Sequence, residues 1–404
     1  MKSKTSIRDL AFFGGAPSIS EKLHVGRPNI GSTDRLYARM DDILSKRWLT
    51  NMGPYVHEFE KEICDHTGVN HCITVCNATL GLQLAIRALG LQGEVILPSF
   101  TFIASAHALE WQGITPVFCD IDPQTHNINP RKVEELITPR TTGILGVHIW
   151  GRPCAVEELQ AIADQHQLAL FFDAAHAFTC SYQDRMIGNF GSVEVFSFHA
   201  TKFLNTFEGG LVATNDSELA DRVRLMSNFG FAGYDQVMSP GINAKMSEIS
   251  AAMGLTGLES LDEFISVNYH NYQQYLCELD NLPGVSMIIY DEGERNNYQY
   301  VISEIDDSIT RIHRDQVVEL LRAENILARR YFYPGCHKMA PYRTNPTFSK
   351  NQLIETERLV ERVILLPTGT SVETDDIHTI CQMLRFIISN GDQISELMHT
   401  GKSH

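Results

Sequence analysis

A chain of 404 residues with 43% hydrophobic and 20% charged residues has room for a large core and a second, smaller domain. Its net charge of −16 argues against general nucleic-acid binding but not against an anionic ligand met by local cations. No apolar run approaches the ~20 residues of a membrane span, and the N-terminus lacks an apolar core with a small-residue cleavage site. The nine cysteines include no CxxC pair and suggest no disulfide framework, so a reducing cytoplasm is the expected compartment.

In chain order, the spacing of Leu36, Met40, Ile43 and Leu44 predicts a helix over 34–48, followed by a turn and a helix over 55–67. A strand over 72–76 then enters a helix over 80–89 through Asn77, Ala78 and Thr79. Free amides at a positive helix end make this turn either a phosphate cradle or an ordinary N-cap. A strand over 94–98 leads through Phe102 into a helix ending near Gln112. The strand over 115–119 ends in Asp120 and Asp122, read as satisfying turn amides, and Asn129 and Pro130 start a helix over 131–136. A strand over 142–147 ends at His148, a packed strand-end residue, before a helix over 155–165.

Leu168 to Phe172 are five apolar residues in a row, the signature of a strand buried on both faces, and Asp173 follows at its carboxyl end. A second apolar run, 193–198, is followed by His199 and Lys202, and Glu208, Gly209 and Gly210 open a strand over 211–213. Ligands of open α/β sheets bind outside the carboxyl ends of the strands, so Asp173 and Lys202 are expected in one site. A lysine able to form a Schiff base and an acid able to hold a pyridinium nitrogen are the protein groups that pyridoxal phosphate needs. The alternative is a helix-start aspartate and an unrelated solvated lysine. The flanking buried strands, Ser197 and the Gly-Gly pair favour the site. The alternating βα pattern predicts a doubly wound, largely parallel sheet.

Beyond Asp216, a helix to about Phe229 and a glycine-rich turn precede a long helix from Glu248 to about Leu279, expected to bridge to a smaller domain. There, 297–303, 326–332 and 364–367 read as strands, and 313–324 and 374–388 as helices. The tail from Asn390 is polar and unpatterned and is expected to fray. The expected division is a large domain over 1–250 and a helical bridge with a small domain over 251–404.

The motifs DAAHA at 173–177, SFHATK at 197–202 and EGG at 208–210 resemble the DegT/DnrJ/EryC1/StrS sugar aminotransferase family. So do GGAP at 14–17, DID and NINP at 120–130, GINAKMSE at 241–248 and LLPTG at 365–369. One departure is Phe207, where the family usually carries Gly. The resemblance implies an α/β fold: a three-layer α/β/α arrangement around a mostly parallel seven-stranded sheet (pyridoxal-phosphate transferase fold type I), with a smaller C-terminal α+β domain. By it, Lys202 is the catalytic lysine that holds pyridoxal phosphate as an imine, and Asp173 holds the ring nitrogen. His176 lies near the phenolic oxygen, Ala78, Thr79 and Ser197 bind the phosphate, and Phe102, otherwise a core residue, stacks on the ring. Asn243 reaches the cofactor of a neighbouring subunit, implying a homodimer with shared sites; the alternative is a helix N-cap by Asn243 or Ser247. Trp48 and Thr50 line the sugar-nucleotide site, with a core role for Trp48 as the alternative, and Tyr333 and His337 contact the sugar.

The implied reaction is ping-pong transfer of the amino group of L-glutamate, by way of pyridoxamine phosphate, to a nucleotide-linked keto sugar. WGRPC with SFHATKF and FEGG most resembles the branch that converts dTDP-4-keto-6-deoxy-D-glucose to dTDP-4-amino-4,6-dideoxy-D-glucose. A 3-keto sugar, another nucleotide, or a non-catalytic regulator that binds the cofactor are the alternatives. Lys202 opposes the dehydratase branch, which carries His at that position. No metal site is expected, because His176, His199 and Asp173 lack HxH or HExxH spacing.

Overall fold

A computed structural model describes residues 4–344 and 352–401. Seven strands form its central sheet: β1 (His71–Val75), β2 (Glu94–Pro98), β3 (Thr115–Cys119), β4 (Thr141–Val147), β5 (Ala169–Asp173), β6 (Val193–Ser197) and β7 (Gly210–Thr214). Their order is β1-β7-β6-β5-β4-β2-β3. β7 is antiparallel to both neighbours, and the other four pairings are parallel, so the sheet is mostly parallel as expected. Successive residues of β5 point to opposite faces. Phe171 packs with Leu84, Leu109 and Val223 in one layer, and Phe172 with Leu159 and Ala163 in the other. Helices on both faces are the reason the strand reads as one continuous apolar run.

Helices α1 (Thr33–Lys46) and α2 (Pro54–Thr67) precede the sheet, and α3 (Ala78–Ala88), α4 (Ile103–Glu110), α5 (Pro130–Leu136), α6 (Val156–His166) and α7 (Ser217–Ser227) connect or follow its strands. The single long helix expected over 248–279 is instead α8 (Glu248–Leu258) and α9 (Leu261–Leu279). α8 is buried nearly all round, and Gly254 and Gly257 admit Phe59 and Leu204 so closely that an added Cβ would lie 2.5 Å from each. α9 buries a single face elsewhere, so the chain turns where the Ser260 amide bonds the Gly257 carbonyl.

The C-terminal part holds a three-stranded antiparallel sheet, β8 (Val285–Met287), β9 (Val301–Ile305) and β10 (Val363–Leu366), with helices α10 (Arg314–Ala323), α11 (Ile354–Arg362) and α12 (Thr374–Ser389). Three expectations change here, the first being the strand expected over 297–303, which is observed at Val301–Ile305. Of the strand expected over 326–332, Ile326–Leu327 pairs in parallel with Leu23–His24 and Arg329 forms an isolated antiparallel bridge to Leu365, and the chain then turns at Tyr333 and Gly335. The tail expected to fray is helix α13 (Gly391–Gly401), with residues 402–404 outside the described ones. Ile394 and Met398, one helical turn apart, are buried in the C-terminal core, an apolar stripe hidden in a polar composition. No helix among the described residues is long and apolar enough to cross a membrane.

Leu10, Ile19 and Leu23 of the N-terminal segment pack into that same C-terminal core, whereas Asn29 Nδ2 donates to the Phe203 carbonyl and Asn205 Nδ2 donates to the Asn29 carbonyl, which ties the segment to the large sheet's side. The anchor is Glu324, whose fully buried carboxylate accepts the Ala11 and Ser18 amides at 2.7 Å each and lies 3.1 Å from Lys4 Nζ. Glu324→Ala leaves these donors without their acceptor and is expected to cost about 3 kcal/mol. Chemical denaturation would measure that loss, and limited proteolysis should cut the N-terminal segment first.

Candidate active site

The carboxyl ends of β4, β5 and β6 open into one cavity of about 390 Å³. Val147, Asp173 and Ser197, the last residues of these strands, line it together with Lys202 from the turn after β6. Asp173 is 6% exposed, and its position is over-determined. Ser105 Oγ donates to Oδ2 at 2.7 Å, the Ala175 amide donates to Oδ1 at 3.0 Å, and Thr101 Oγ1 lies 3.1 Å from the Ser105 hydroxyl. Lys202 is half-buried, and its amide bonds the His199 carbonyl at 2.8 Å. Loss of hydration pushes its ammonium down to about 8, against the opposing pull of Asp173.

His176 is held in an aromatic box. Its ring stacks on Trp150 at 5.8 Å and Phe332 at 6.0 Å and meets Tyr300 at 4.3 Å. Burial first, and then the Lys202 charge, hold it well below the usual imidazole range, so the ring is neutral. The Trp150 amide donates to Nδ1 at 3.2 Å, which places the ring proton on Nε2. Trp150 makes that bond from a left-handed backbone, φ 63°, a conformation that costs a bulky residue about 1–2 kcal/mol.

Ala78 and Thr79 lie on the first turn of α3, where backbone amides have no partner within the helix, and both line the cavity. Asn77 caps that turn through the Leu80 amide at 2.9 Å, so the N-cap is present on the same turn that a phosphate cradle would use. β7 approaches this turn at Gly210, where an added Cβ would lie 2.6 Å from the Ala78 nitrogen. Phe102, the N-cap residue of α4, also lines the cavity and is 59% exposed, so it is not a core residue. Phe207 keeps a left-handed backbone at φ 63° despite its side chain, the conformation for which Gly is favoured.

The other candidates lie outside this cavity's lining. Asn243 is exposed and accepts from Lys245 Nζ at 2.8 Å, while Ser247 is the N-cap of α8. Trp48 is 48% exposed, which removes its core alternative, and Thr50 is exposed beside it. Tyr333 carries the Arg314 and Arg330 guanidinium groups over its ring at 5.5 and 4.7 Å. His337 joins Ser99 Oγ at 2.6 Å to Glu357 at 3.3 Å, tying the large sheet to α11. His148 is buried, stacked on Phe172 at 4.6 Å. Sequence reasoning missed Ser105 behind Asp173 and the wall formed by Arg329, Tyr331 and Phe332. The adjacent arginines were the one visible signal for that wall.

Gly210→Ala forces β7 away from the first turn of α3 and is expected to weaken binding of a phosphate-bearing ligand at least about tenfold, at a stability cost of roughly 1–3 kcal/mol. Equilibrium dialysis with pyridoxal phosphate and thermal melting would check the two effects separately.

Residues 32–385 match the DegT/DnrJ/EryC1/StrS aminotransferase family. The chain is 49% identical to DesI, solved in the presence of its TDP-sugar product, with a TM-score of 0.94 over 98% of this chain and 100% of that one. It is 36% identical to a dTDP-4-amino-4,6-dideoxy-D-glucose transaminase of Escherichia coli, covering 89% of this chain and 97% of the relative. It is also 35% identical to a GDP-perosamine synthase of Caulobacter vibrioides, covering 80% and 87%. With Lys202 and Asp173 facing one cavity at the carboxyl ends of a mostly parallel sheet, this chain belongs to the DegT/DnrJ/EryC1/StrS aminotransferase family.

Proposed function

We propose that the cavity binds pyridoxal 5'-phosphate and moves the amino group of L-glutamate to dTDP-4-keto-6-deoxy-D-glucose, giving dTDP-4-amino-4,6-dideoxy-D-glucose. The observation that carries this reading is the meeting of Lys202, Asp173 and the first turn of α3, with Ala78 and Thr79, in one cavity. The residues present fit the cofactor: an amine of lowered pKa, a fixed carboxylate, amide donors for a phosphate and an open aromatic face. Likeness to DesI and to the Escherichia coli transaminase supports the dTDP-linked 4-keto sugar. The Caulobacter relative favours a GDP-linked sugar as the second reading.

When bound, the cofactor supplies an electron sink for the charge left as a proton leaves a substrate carbon. Lys202, with a pKa of about 8, holds a usable fraction of free amine near neutrality and can take and return that proton. Asp173, fixed by Ser105 and Ala175, would accept from the ring nitrogen, and His176 would donate from Nε2. Ala78, Thr79 and Ser197 would hold the phosphate, and Phe102 would cover the ring. Trp48, Thr50, Tyr333 and His337 stay as proposed sugar-side residues.

A homodimer is part of this proposal. Its support is the exposed hairpin with Phe231, Tyr234, Val237 and Met238 near Asn243, an apolar surface of the kind that marks an interface. Asn243 would serve the partner's site.

The purified protein should take up pyridoxal phosphate with a visible absorption band that glutamate bleaches and the keto sugar nucleotide restores. Recovery with the dTDP-linked but not the GDP-linked sugar supports the first substrate; the reverse supports the second. Bleaching without recovery would keep the aminotransferase and point to a 3-keto sugar or another nucleotide; a band that glutamate leaves unbleached would support the regulator. Lys202→Ala should abolish the band and lower transamination by roughly 10²–10⁴-fold; activity near wild type would sink the mechanism.

The free amine is the form that reacts with an aldehyde. The uptake rate should therefore rise with pH to a plateau above about 8, where an ordinary lysine would keep rising to about 10.4. Stopped-flow absorbance across pH 6–10 would read the midpoint.

A further inference from the structure

Trp150 acts on His176 twice: its amide donates to Nδ1, and its indole stacks on the ring. It does both from a left-handed backbone, which persists only where the surroundings over-determine it. Asn127, 1% exposed, clamps that backbone. Its Oδ1 accepts the Ile149 amide at 3.1 Å, and its Nδ2 donates to the Arg152 and Pro153 carbonyls at 3.1 and 2.8 Å. The Tyr290 hydroxyl lies 3.1 Å from the Trp150 carbonyl.

The indole is held by a different set of groups. It is fully buried, with Phe100, Tyr300 and Phe332 at 5.9, 5.5 and 5.5 Å between ring centres, and its N–H can only donate. The acceptor is Nδ1 of His126, at 3.4 Å. A ring nitrogen that accepts carries no proton, so the His126 proton sits on Nε2, where it faces Glu304 Oε1 at 3.1 Å. A carboxylate on one ring nitrogen fixes what the other presents. Without Glu304, His126 would be free to carry its proton on Nδ1 and meet the indole N–H with a second donor.

This chain of contacts joins β9, the turn after β3 and the turn after β4, and it ends on a cavity residue. Glu304, His126 and Trp150 are not themselves part of the lining, whereas His176 is. Because the His176 ring is neutral, its one proton decides whether a guest meets a donor or an acceptor there.

We infer that Glu304 and His126 are positioning residues that act through Trp150 to hold His176 as a donor toward the cofactor ring. The identity of that ring rests on the aminotransferase reading. Three variants separate the parts: Glu304→Leu removes the acceptor from His126, Glu304→Gln keeps an acceptor without the charge, and Trp150→Phe keeps a ring without its N–H. The Glu304 side chain is partly exposed and outside the lining, so both of its variants should fold.

Nitrogen NMR of the cofactor-free full chain labelled at histidine, with His176→Asn identifying the His176 signals, should show one tautomer in the parent and in Glu304→Gln. Glu304→Leu and Trp150→Phe should show a mixture. In the loaded protein, a donor on the ring's phenolic oxygen competes for the charge that holds the imine proton. Losing a well-placed donor should therefore raise the pH midpoint of the visible band by about half a unit to one unit. With it, kcat should fall roughly three- to tenfold while both KM values change less than about threefold. A Glu304→Leu protein that melts earlier but keeps the parent's His176 tautomer and band midpoint would overturn the inference. A parent without any visible band would bring down the functional reading, and the tautomer in the cofactor-free chain would still decide the positioning role.

Discussion

A lysine and an aspartate that the chain separates by 29 positions are brought to one cavity, and both are largely withdrawn from water. Much of the molecule serves to make that arrangement stable. Desolvation weakens an ammonium's hold on its proton, so burial of Lys202 turns a poor base into a serviceable one. Desolvation also makes an unsatisfied carboxylate costly, so Asp173 comes with two donors of its own. Strands covered by helices on both faces supply the apolar surroundings, and the parallel order of β4, β5 and β6 aims their carboxyl ends the same way.

The same solution recurs away from the cavity. Buried carboxylates act as interior caps for segments remote in sequence. Asp120 accepts the Glu355 and Thr356 amides at the start of α11, at 3.0 and 2.8 Å. Glu248 accepts the Tyr55 and Val56 amides at the start of α2, at 2.9 and 3.1 Å. Glu60 accepts the Thr74 amide and pairs with Arg224 at 2.9 Å. Each places an anion at a helix end or strand amide, where the local dipole favours it. Together with Glu324 they stitch the N-terminal segment, the large sheet and the C-terminal part into one scaffold behind the cavity.

The C-terminal part does more than cover the sheet. Phe332 and Tyr300 close the aromatic box around His176, and Tyr331 carries Arg329 on the same wall. That box keeps His176 neutral, and the left-handed Trp150 backbone orients its ring proton. A local strain is thus held in place by packing from a segment about 180 residues further along the chain.

Local pattern was enough to read the central strands, because a double-faced strand writes its burial into consecutive apolar residues such as Leu168 to Phe172. It was also enough to place Asp173, Lys202 and the Ala78–Thr79 turn at strand and helix ends, since those positions follow from element boundaries. It failed where the deciding contact was distant. The break between α8 and α9 depends on how closely Phe59 and Leu204 approach two glycines, and α13 forms because Ile394 and Met398 find an apolar core. Ser105 behind Asp173, the anchoring of Arg329 by Leu365 and the use of His337 as a tie to Ser99 are pairings across 68, 36 and 238 positions. Side-chain periodicity reports only whether a residue faces solvent or core. Which partner waits in that core is decided when the chain closes on itself, and so the sequence named the candidate groups while tertiary structure chose the groups that hold, tune and surround them.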